Sequence, residues 1–419
     1  MFLSATFFSS LVLFVSCISA SISTLQNQCW HELPPFISIT LQSSKDATSE
    51  LITRPANITK EKESLNLHFP WSYAPICTHH LPGLRSKLCV YTNTSFSNGR
   101  GISIFTTPAI AAEFTNIPAF QDPDALSSKG ININSGVWMA QELPGKGIGL
   151  LAKSLLNFGD RVTAYTPALL AYLEGELGTL EREKYFRIAI DQLPAATREA
   201  FLELCLVYGD KRIRVQDIVK ANTFQMMVGG QDHLAVFPET SRLNHACAAN
   251  AQYYLDPERL THFVHATRPI AQGEEILISY TSPLEFTEVR QQHLQEGFHF
   301  TCTCPRCTAK ETSDARLTQI LNMQASLNDW SPASLGSPAL ADQLLALYRQ
   351  EGLEGFLDIP YGFAALAYSA VGSDKRAVEY AEKAKEAILM KDGSWSTNLR
   401  IWEELLENVK RHWSYKRRM

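Results

Sequence analysis

Three cysteines fall within six residues in the stretch Cys302-Thr-Cys304-Pro-Arg-Cys307. Disulfides among them would be strained, because a bridge across one or two residues does not provide the Cα separation that disulfide geometry needs. Thiolates at these spacings converge readily on a tetrahedral zinc ion, and a closed structural zinc site takes four ligands. The stretch therefore predicts a zinc site whose fourth ligand comes from elsewhere in the chain.

The best-placed fourth ligand is Cys247, in the stretch "SRLNHACAANA" of residues 241–251. Two residues earlier stand Asn244 and His245, and an unpaired buried amide or imidazole costs roughly 1–3 kcal/mol. We therefore expect these polar side chains to have partners outside their own strand, with Cys247 on zinc beside Cys302, Cys304 and Cys307. The alternative is a reduced or partly disulfide-bonded cluster.

The first 30 residues contain no charged side chain, and an apolar run from Phe7 to Ala20 ends among small residues. This pattern predicts a secretory signal peptide over residues 1–20, with an uncleaved anchor or a mis-assigned start as alternatives. No later segment reaches about 18 uninterrupted apolar residues, so we expect no membrane span after the leader. If the chain enters the secretory pathway, two of Cys29, Cys77 and Cys89 are expected to form a disulfide, and the last two are the closest in sequence.

Charge is nearly balanced, with 43 acidic against 38 basic residues, so no overall field draws the chain onto nucleic acid or an anionic membrane. Direct nucleic-acid binding is not expected. One basic cluster, which includes Lys416, Arg417 and Arg418, closes the chain. We interpret it as a solvated tail.

Composition and periodicity divide the chain. Residues 21–135 are predicted to be a loop-rich N-terminal region, in which residues 31–97 lack a large core of their own. Short runs rich in Ile, Val, Leu and Thr start near Gly99 and read as strands and hairpins. Over residues 168–227 a 3.6-residue period predicts a helical insert, after which strand patterns return.

Residues 309–419 are predicted to be helical throughout. One stretch, "YGFAALAYSAVGSDKRAVEYAEKAKEAIL", resembles one helix pair of a tetratricopeptide (TPR) repeat. A lone unit of this kind cannot bury its apolar face, so it must pack on its neighbours. We favour a closing helical domain over a peptide-binding repeat surface.

Two further motifs are weak when taken singly. The run Gly145-Lys146-Gly147 is neither a phosphate-binding loop nor a full dinucleotide fingerprint, and by itself it indicates a tight turn. An earlier copy, Gly99-Arg100-Gly101, competes with it. Tyr280 ends the strand-like "GEEILISY", where a tyrosine is usually a core residue with a satisfied hydroxyl.

The ordered set is more specific than its parts. Gly-Lys-Gly, a helical insert closing with "ANTFQM", "SRLNHACAANA", "GEEILISY" and "FHFTCTCPRC" together resemble the SET-domain protein lysine methyltransferases. The branch is the SMYD-like, fungal-type one with a cysteine-rich post-SET segment, here without the MYND zinc finger. The resemblance implies an α+β fold of small sheets with a pseudoknot, a SET domain over 136–282, a zinc-bound post-SET hairpin over 283–308 and an all-helical C-terminal domain.

Site residues follow from the same resemblance. It implies that S-adenosylmethionine is held by Gly145, Lys146, Gly147, Asn222, Asn244, His245 and Phe300, and that Tyr280 is the catalytic tyrosine. The pseudoknot is expected to bring Asn244 and His245 beside Tyr280. Two positions depart from the family, since Ala249 stands where proline is usual and Phe298 where tyrosine is frequent.

The expected function is methyl transfer from S-adenosylmethionine to a lysine amine of a protein, histone or non-histone. The alternative is a non-catalytic SET-fold interaction protein of the secretory pathway. The leader favours that compartment, whereas the resemblance favours cytoplasm or nucleus.

Overall fold

The computed structural model describes residues 68–122 and 124–419. The strands, in chain order, are β1 (Ile76–Cys77), β2 (Cys89–Asn93), β3 (Ile102–Thr106), β4 (Trp138–Leu143), β5 (Gly147–Ala152), β6 (Arg161–Tyr165), β7 (Leu169–Tyr172), β8 (Thr223–Val228), β9 (Gln231–Val236), β10 (Asn244–His245), β11 (Ala251–Asp256), β12 (Thr261–Ala266) and β13 (Glu275–Ile278).

The helices are α1 (Phe96–Gly99), α2 (Pro108–Phe114), α3 (Pro118–Gln121), α4 (Asp124–Ser127), α5 (Thr179–Asp191), α6 (Ala195–Leu202), α7 (Arg214–Asn222), α8 (Thr287–Phe298), α9 (Pro305–Thr308), α10 (Lys310–Asn328), α11 (Pro338–Gln350), α12 (Asp358–Ala370), α13 (Asp374–Lys391) and α14 (Leu399–Glu407). Three short 3₁₀ turns lie at Lys211–Ile213, Thr240–Arg242 and Glu354–Phe356. The predicted α+β class is confirmed.

The largest sheet has six strands in the order β1-β2-β3-β7-β9-β8. Strands β1 and β2 come from the part of the N-terminal region that was expected to be loop-rich, whereas β3 lies in the run after Gly99 that predicted a strand. Trp71, Phe96 and Phe114 are buried in the core on one face of this sheet. The prediction failed for β1 and β2 because each of these two strands has five residues or fewer, too short for a clear alternation of polar and apolar positions.

A second correction concerns the start of the helical insert. Leu169 and Leu170, taken as the first positions of a helical period, lie in strand β7 instead. Both are fully buried, because β7 runs between β3 and β9 with both faces covered. A strand buried on two faces gives a continuous apolar run, which periodicity cannot distinguish from a buried helix. The insert's helices are α5 to α7, and they pack on the six-stranded sheet.

Two smaller sheets support the region in which the site motifs meet. One has the order β10-β13-β5-β4 and the other β11-β12-β6, and their facing side chains form a shared core. Strand β10 pairs in parallel with β13, with His245 opposite Ile278. This register brings the Asn-His pair to the end of the strand that leads into Tyr280.

The last five helices, α10 to α14, surround a core of their own. Helices α12 and α13 are joined by only three residues and form the pair predicted from the alanine-rich stretch. Ring contacts tie this unit to the sheets, since Trp395 meets Tyr254 of β11 with ring centroids 5.5 Å apart.

The chain's basic end is docked through its backbone and Arg418, although the side chains of Lys416 and Arg417 are exposed, so the predicted solvated tail is only partly correct. The backbone amides of Lys416 and Arg418 donate to the carbonyls of Ser369 and Ala370. The Arg418 guanidinium lies 4.0 Å from the ring centroid of Trp330 and donates to the carbonyls of Leu327 and Asp329. The tail is docked because Arg418 finds an aromatic ring and helix-end carbonyls as partners. These partners are distant in sequence, so the local charge pattern did not indicate them.

Cys77 and Cys89 form a disulfide between paired positions of β1 and β2. Cys29 and the predicted signal peptide lie outside the described residues. In the part of the chain that the structure describes, no helix combines the length and apolar character needed to cross a membrane.

Helix α12 approaches α14 closely at Gly362, where an added Cβ would lie 2.7 Å from the ring of the buried Trp402. We expect Gly362→Ala to lower the free energy of unfolding by about 1–3 kcal/mol through overpacking, despite the better helix propensity of alanine. Denaturant titration measures this. Gly297 of α8 is the matched control, because its Cβ would meet no atom within 4 Å. Gly297→Ala should be neutral or stabilising, and equal effects of the two changes would contradict the packing argument.

Candidate active site

Four cysteines from two distant parts of the chain meet at one point. Cys247 follows β10, and Cys302, Cys304 and Cys307 follow α8. Their Sγ atoms all lie within 4.8 Å of one another, and the Sγ atoms of Cys247 and Cys307 are 3.5 Å apart. Zinc–sulfur bonds of about 2.3 Å in a tetrahedron put sulfurs about 3.8 Å apart. All four are free thiols, so the arrangement fits a zinc ion and not the disulfide alternative.

His245 connects this cluster to Tyr280. Its Nδ1 accepts a hydrogen bond from the Tyr280 backbone amide at 2.9 Å, so the ring proton is on Nε2. Nε2 lies 3.2 Å from Cys247 Sγ and donates to it. Burial lowers the pKa of His245 to about 3, so the ring is neutral near pH 7. An imidazole that donates to a metal-binding thiolate fixes that ligand's orientation.

Tyr280 is held by its backbone and by its hydroxyl. The hydroxyl donates to the Leu243 carbonyl at 2.5 Å, and the ring packs on Phe298 with centroids 4.8 Å apart. Burial raises the pKa of Tyr280 well above its usual value of about 10. The hydroxyl therefore stays protonated and acts as a hydrogen-bonding group, not as a base.

A cleft of about 430 Å³, part of it open to solvent, adjoins the Tyr280 ring. Its walls are mainly aromatic and apolar, and they include Asn222, Phe224, Leu243, Tyr253, Tyr280 and Phe298. Such a cleft suits a long apolar side chain that carries one polar end. Sequence reasoning did not single out Phe224, Leu243 or Tyr253, which have no sequence signal beyond strand patterning.

The Gly-Lys-Gly run forms the turn between β4 and β5, with positive φ at Gly145 (72°) and Gly147 (71°). Lys146 Nζ lies 2.6 Å from Glu275 Oε2, and Asn244 Nδ2 donates to Glu275 Oε1 at 2.9 Å. Glu275 therefore joins two of the predicted cofactor-binding residues. Glu275 is part of "GEEILISY", but no role was predicted for it. A carboxylate inside an otherwise apolar strand could have indicated that it has a specific partner.

Asn222 lies on the side of the site formed by the helical insert, and Phe300 lies beside His245. The Asn222 amide donates to the carbonyls of Cys205 and Ile218, and the residue lines the cleft. A Cβ added to Gly147 would lie 3.8 Å from Cys205 Sγ, so the glycine turn and the insert are neighbours. The Phe300 ring lies 6.0 Å from that of His245. All the predicted site residues thus lie around the Asn244-His245 pair.

The competing glycine copy lies in different surroundings. Arg100 donates both guanidinium ends to Glu239, at 2.6 and 2.7 Å. Gly101, with φ of 79°, is packed against Pro194. These contacts are explained by local packing.

A further residue missed by sequence reasoning ties the cysteines to the C-terminal helices. Arg306, between two of the cysteines, is buried and donates to the Cys247 and Pro283 carbonyls at 3.1 and 3.0 Å. Its Nε also lies 3.0 Å from Glu351 Oε2, just beyond the end of α11. The Arg306 guanidinium therefore fastens three parts of the chain to one another: the cysteine segment, the residues after the Asn-His strand and the helical unit.

Comparison with known proteins gives a consistent picture. The family model of the SET domain matches residues 147–281. Histone-lysine N-methyltransferase set5 of Schizosaccharomyces pombe is 26% identical over 285 residues, which cover 66% of this chain and 85% of the yeast protein.

Two animal proteins match shorter stretches. N-lysine methyltransferase SMYD2 of Homo sapiens is 33% identical over 101 residues, 24% of this chain and 23% of that protein. SET domain-containing protein SmydA-8 of Drosophila melanogaster is 35% identical over 105 residues, 24% of this chain and 22% of that protein. The chain therefore spans less than a quarter of each animal relative.

Removing one sulfur ligand tests the cluster. We expect Cys247→Ser to reduce bound zinc to less than one ion per chain and to lower thermal stability, because Cys247 is also the partner of His245. Metal analysis and thermal unfolding measure the two effects. Cys205→Ser is the control, since Cys205 is exposed and outside the cluster. Full zinc content in Cys247→Ser would exclude this residue as a ligand.

Glu275 provides a second test. Glu275→Ala removes the acceptor shared by Lys146 and Asn244, and we expect S-adenosylmethionine to bind about 10-fold more weakly, the effect of losing one charge-assisted hydrogen bond. Calorimetric titration measures the affinity. The adjacent Glu274 is the matched control, because it bonds to Arg268 and Asn250 instead. If Glu274→Ala weakens binding as much as Glu275→Ala, the effect is not specific to the glycine turn.

Proposed function

We propose that this chain, which contains a SET domain and is similar to the Set5 and SMYD2 lysine methyltransferases, is an S-adenosylmethionine-dependent protein-lysine N-methyltransferase. The observation that carries the proposal is the convergence of the Asn-His strand, Tyr280 and an aromatic cleft at one place. The residues that supply these parts are up to 77 positions apart in sequence, from Ala221 to Phe298. Their meeting supports one reaction centre.

The cofactor is assigned to the region between the glycine turn and the Asn-His pair. Gly145, Lys146 and Gly147 approach it from one side, Asn222 from the insert, and Asn244 with His245 from strand β10. Positive φ at the two glycines lets backbone come close to a ligand where a side chain would be strained. When bound there, S-adenosylmethionine supplies a methyl group carried on a sulfonium centre.

The substrate is assigned to the aromatic cleft. Phe224 and Phe298 present apolar walls that suit the four-carbon stem of a lysine. A lysine amine has an ordinary pKa of about 10.4 and must be neutral to act as a nucleophile. The apolar walls disfavour its charged form and lower that pKa, so the cleft itself promotes loss of the proton to solvent.

Tyr280 then positions the amine. Its hydroxyl is fixed by donation to the Leu243 carbonyl, and the oxygen can accept a hydrogen bond from the lysine nitrogen. Transfer by in-line displacement needs alignment of the nitrogen with the methyl carbon, and orientation alone accounts for large rate effects. The new bond is nitrogen to carbon, and the bond that breaks is carbon to sulfur.

Zinc has a structural role in this proposal. The four thiolates leave no open coordination position for substrate, which is the mark of a structural site. A zinc ion on Cys247 would fix that thiolate, and the contacts of His245 with Cys247 and with the Tyr280 backbone would extend the constraint to Tyr280. The protein partner is a lysine-containing substrate, histone or non-histone, and a panel of histones and ribosomal proteins with labelled cofactor would identify its class.

We expect S-adenosylmethionine at 100 times its Kd to stabilise the wild-type protein by about 2.7 kcal/mol, seen as a higher Tm. Tyr280→Phe should keep that shift, since the ring remains, but should lower methyl transfer by about 100-fold because the amine is no longer oriented. Thermal unfolding and transfer of labelled methyl to the protein panel measure the two effects.

The matched control is Tyr254→Phe, a tyrosine on the neighbouring strand whose ring packs on Trp395 away from the cleft. It should leave transfer unchanged. A wild-type protein with no thermal shift at saturating cofactor would refute the enzyme and favour the non-catalytic interaction protein. A Tyr280→Phe variant with full activity would refute the role of the hydroxyl.

A further inference from the structure

Arg290 of α8 is fully buried beside the cysteine cluster. One guanidinium nitrogen, Nη2, lies 3.9 Å from Cys307 Sγ and 3.0 Å from Thr287 Oγ1. The other, Nη1, donates to the Glu285 carbonyl. We infer that Arg290 is a charge-compensating residue of the four-cysteine zinc centre, whose positive charge stabilises the zinc-bound thiolates.

The buried Arg290 guanidinium needs a negatively charged group close to it. Within residues 68–122 and 124–419, no carboxylate lies within 4 Å of Arg290. Its hydroxyl partner Thr287 donates in turn to Asp314 Oδ1 at 2.8 Å, so the nearest acidic side chain is one hydrogen bond removed. The groups in direct contact that can carry negative charge are the thiols.

Arg306 provides the contrast inside the same cluster. It is equally well buried, but it contacts a carboxylate directly, that of Glu351 at 3.0 Å, which it shares with the part-exposed Arg316 at 3.1 Å. These contacts fasten the C-terminal helices. Arg290 has no such partner, so the two arginines have different tasks.

Protonated thiols, disulfides and zinc-bound thiolates give the cysteine cluster different net charges, and these charges affect Arg290 differently. Four protonated thiols, or two disulfides that use up all four, would leave Arg290 as a buried cation without an anion in contact, which is strongly unfavourable. One zinc ion with four thiolates has a net charge of −2, and Arg290 reduces this to −1. Zinc binding and the burial of Arg290 therefore favour each other. Hydrogen bonds from groups outside the coordination shell commonly tune metal sites in this way.

The test uses the full-length protein loaded with zinc and titrated with a chromophoric chelator at neutral pH. We expect Arg290→Gln to weaken zinc binding about 10–100-fold, the usual effect of losing an outer-shell partner. Arg290→Lys keeps the charge and should stay within about threefold of wild type, a rescue that purely structural packing does not predict. Wild-type zinc affinity in a folded Arg290→Gln protein would overturn the inference.

The control is Arg182→Gln, the loss of another buried arginine, here one paired with Glu174 far from the cysteines. It should destabilise the fold without changing zinc affinity. An equal loss of zinc affinity in this variant would mean that the effect is general destabilisation, and the inference would fail.

A second measurement remains informative if Arg290→Gln does not fold. In cobalt-loaded protein the sulfur-to-metal charge-transfer band reports on the thiolates directly, and Arg290→Lys should shift it because the contact with Cys307 changes. An unshifted band would overturn the inference. The inference depends on zinc and not on methyl transfer, so a protein that binds zinc but transfers no methyl group would refute the proposed function alone.

Discussion

The contact between His245 and Cys247 is the point on which the site depends. One imidazole accepts from the Tyr280 backbone and donates to a sulfur of the cysteine cluster. Because the ring is buried and neutral, it can satisfy both bonds only in one tautomer and one orientation. A shift of the cysteine cluster therefore moves the tyrosine, and the cysteine cluster and the cleft form one mechanical unit.

Charge is distributed around this unit in an orderly way. Arg306 and Glu351 join the cysteine segment to the C-terminal helices, while Arg290 faces the sulfurs. At the opposite side of the Asn-His strand, Glu275 accepts hydrogen bonds from Lys146 and Asn244. Buried ionic groups need specific partners, so each of them restricts where its element can lie. The C-terminal helices are thereby part of the site's support.

More of the site residues than of the surrounding strands could be predicted from the sequence. The cysteine spacing and the "SRLNHACAANA" stretch were enough to predict which four sulfurs meet, because metal ligation requires a number and kind of ligand that few residues satisfy. Strands β1, β2 and β7 were missed, because runs of two to five residues are too short to show a periodicity. Arg290, Arg306 and Glu275 lie on elements of ordinary composition, and their importance arises from partners distant in sequence.

Four thiols, a glycine turn, an Asn-His pair and a tyrosine at a strand end are all visible in the amino-acid sequence. The α+β class and the helical C-terminal region are visible there too, since they follow from local patterns. The arrangement of these groups is visible only in the folded chain, in the parallel register of β10 with β13, the tautomer of His245 and the burial of Arg290. Strand pairing, desolvation and charge compensation depend on distances between residues far apart in the chain, and local patterns do not contain those distances.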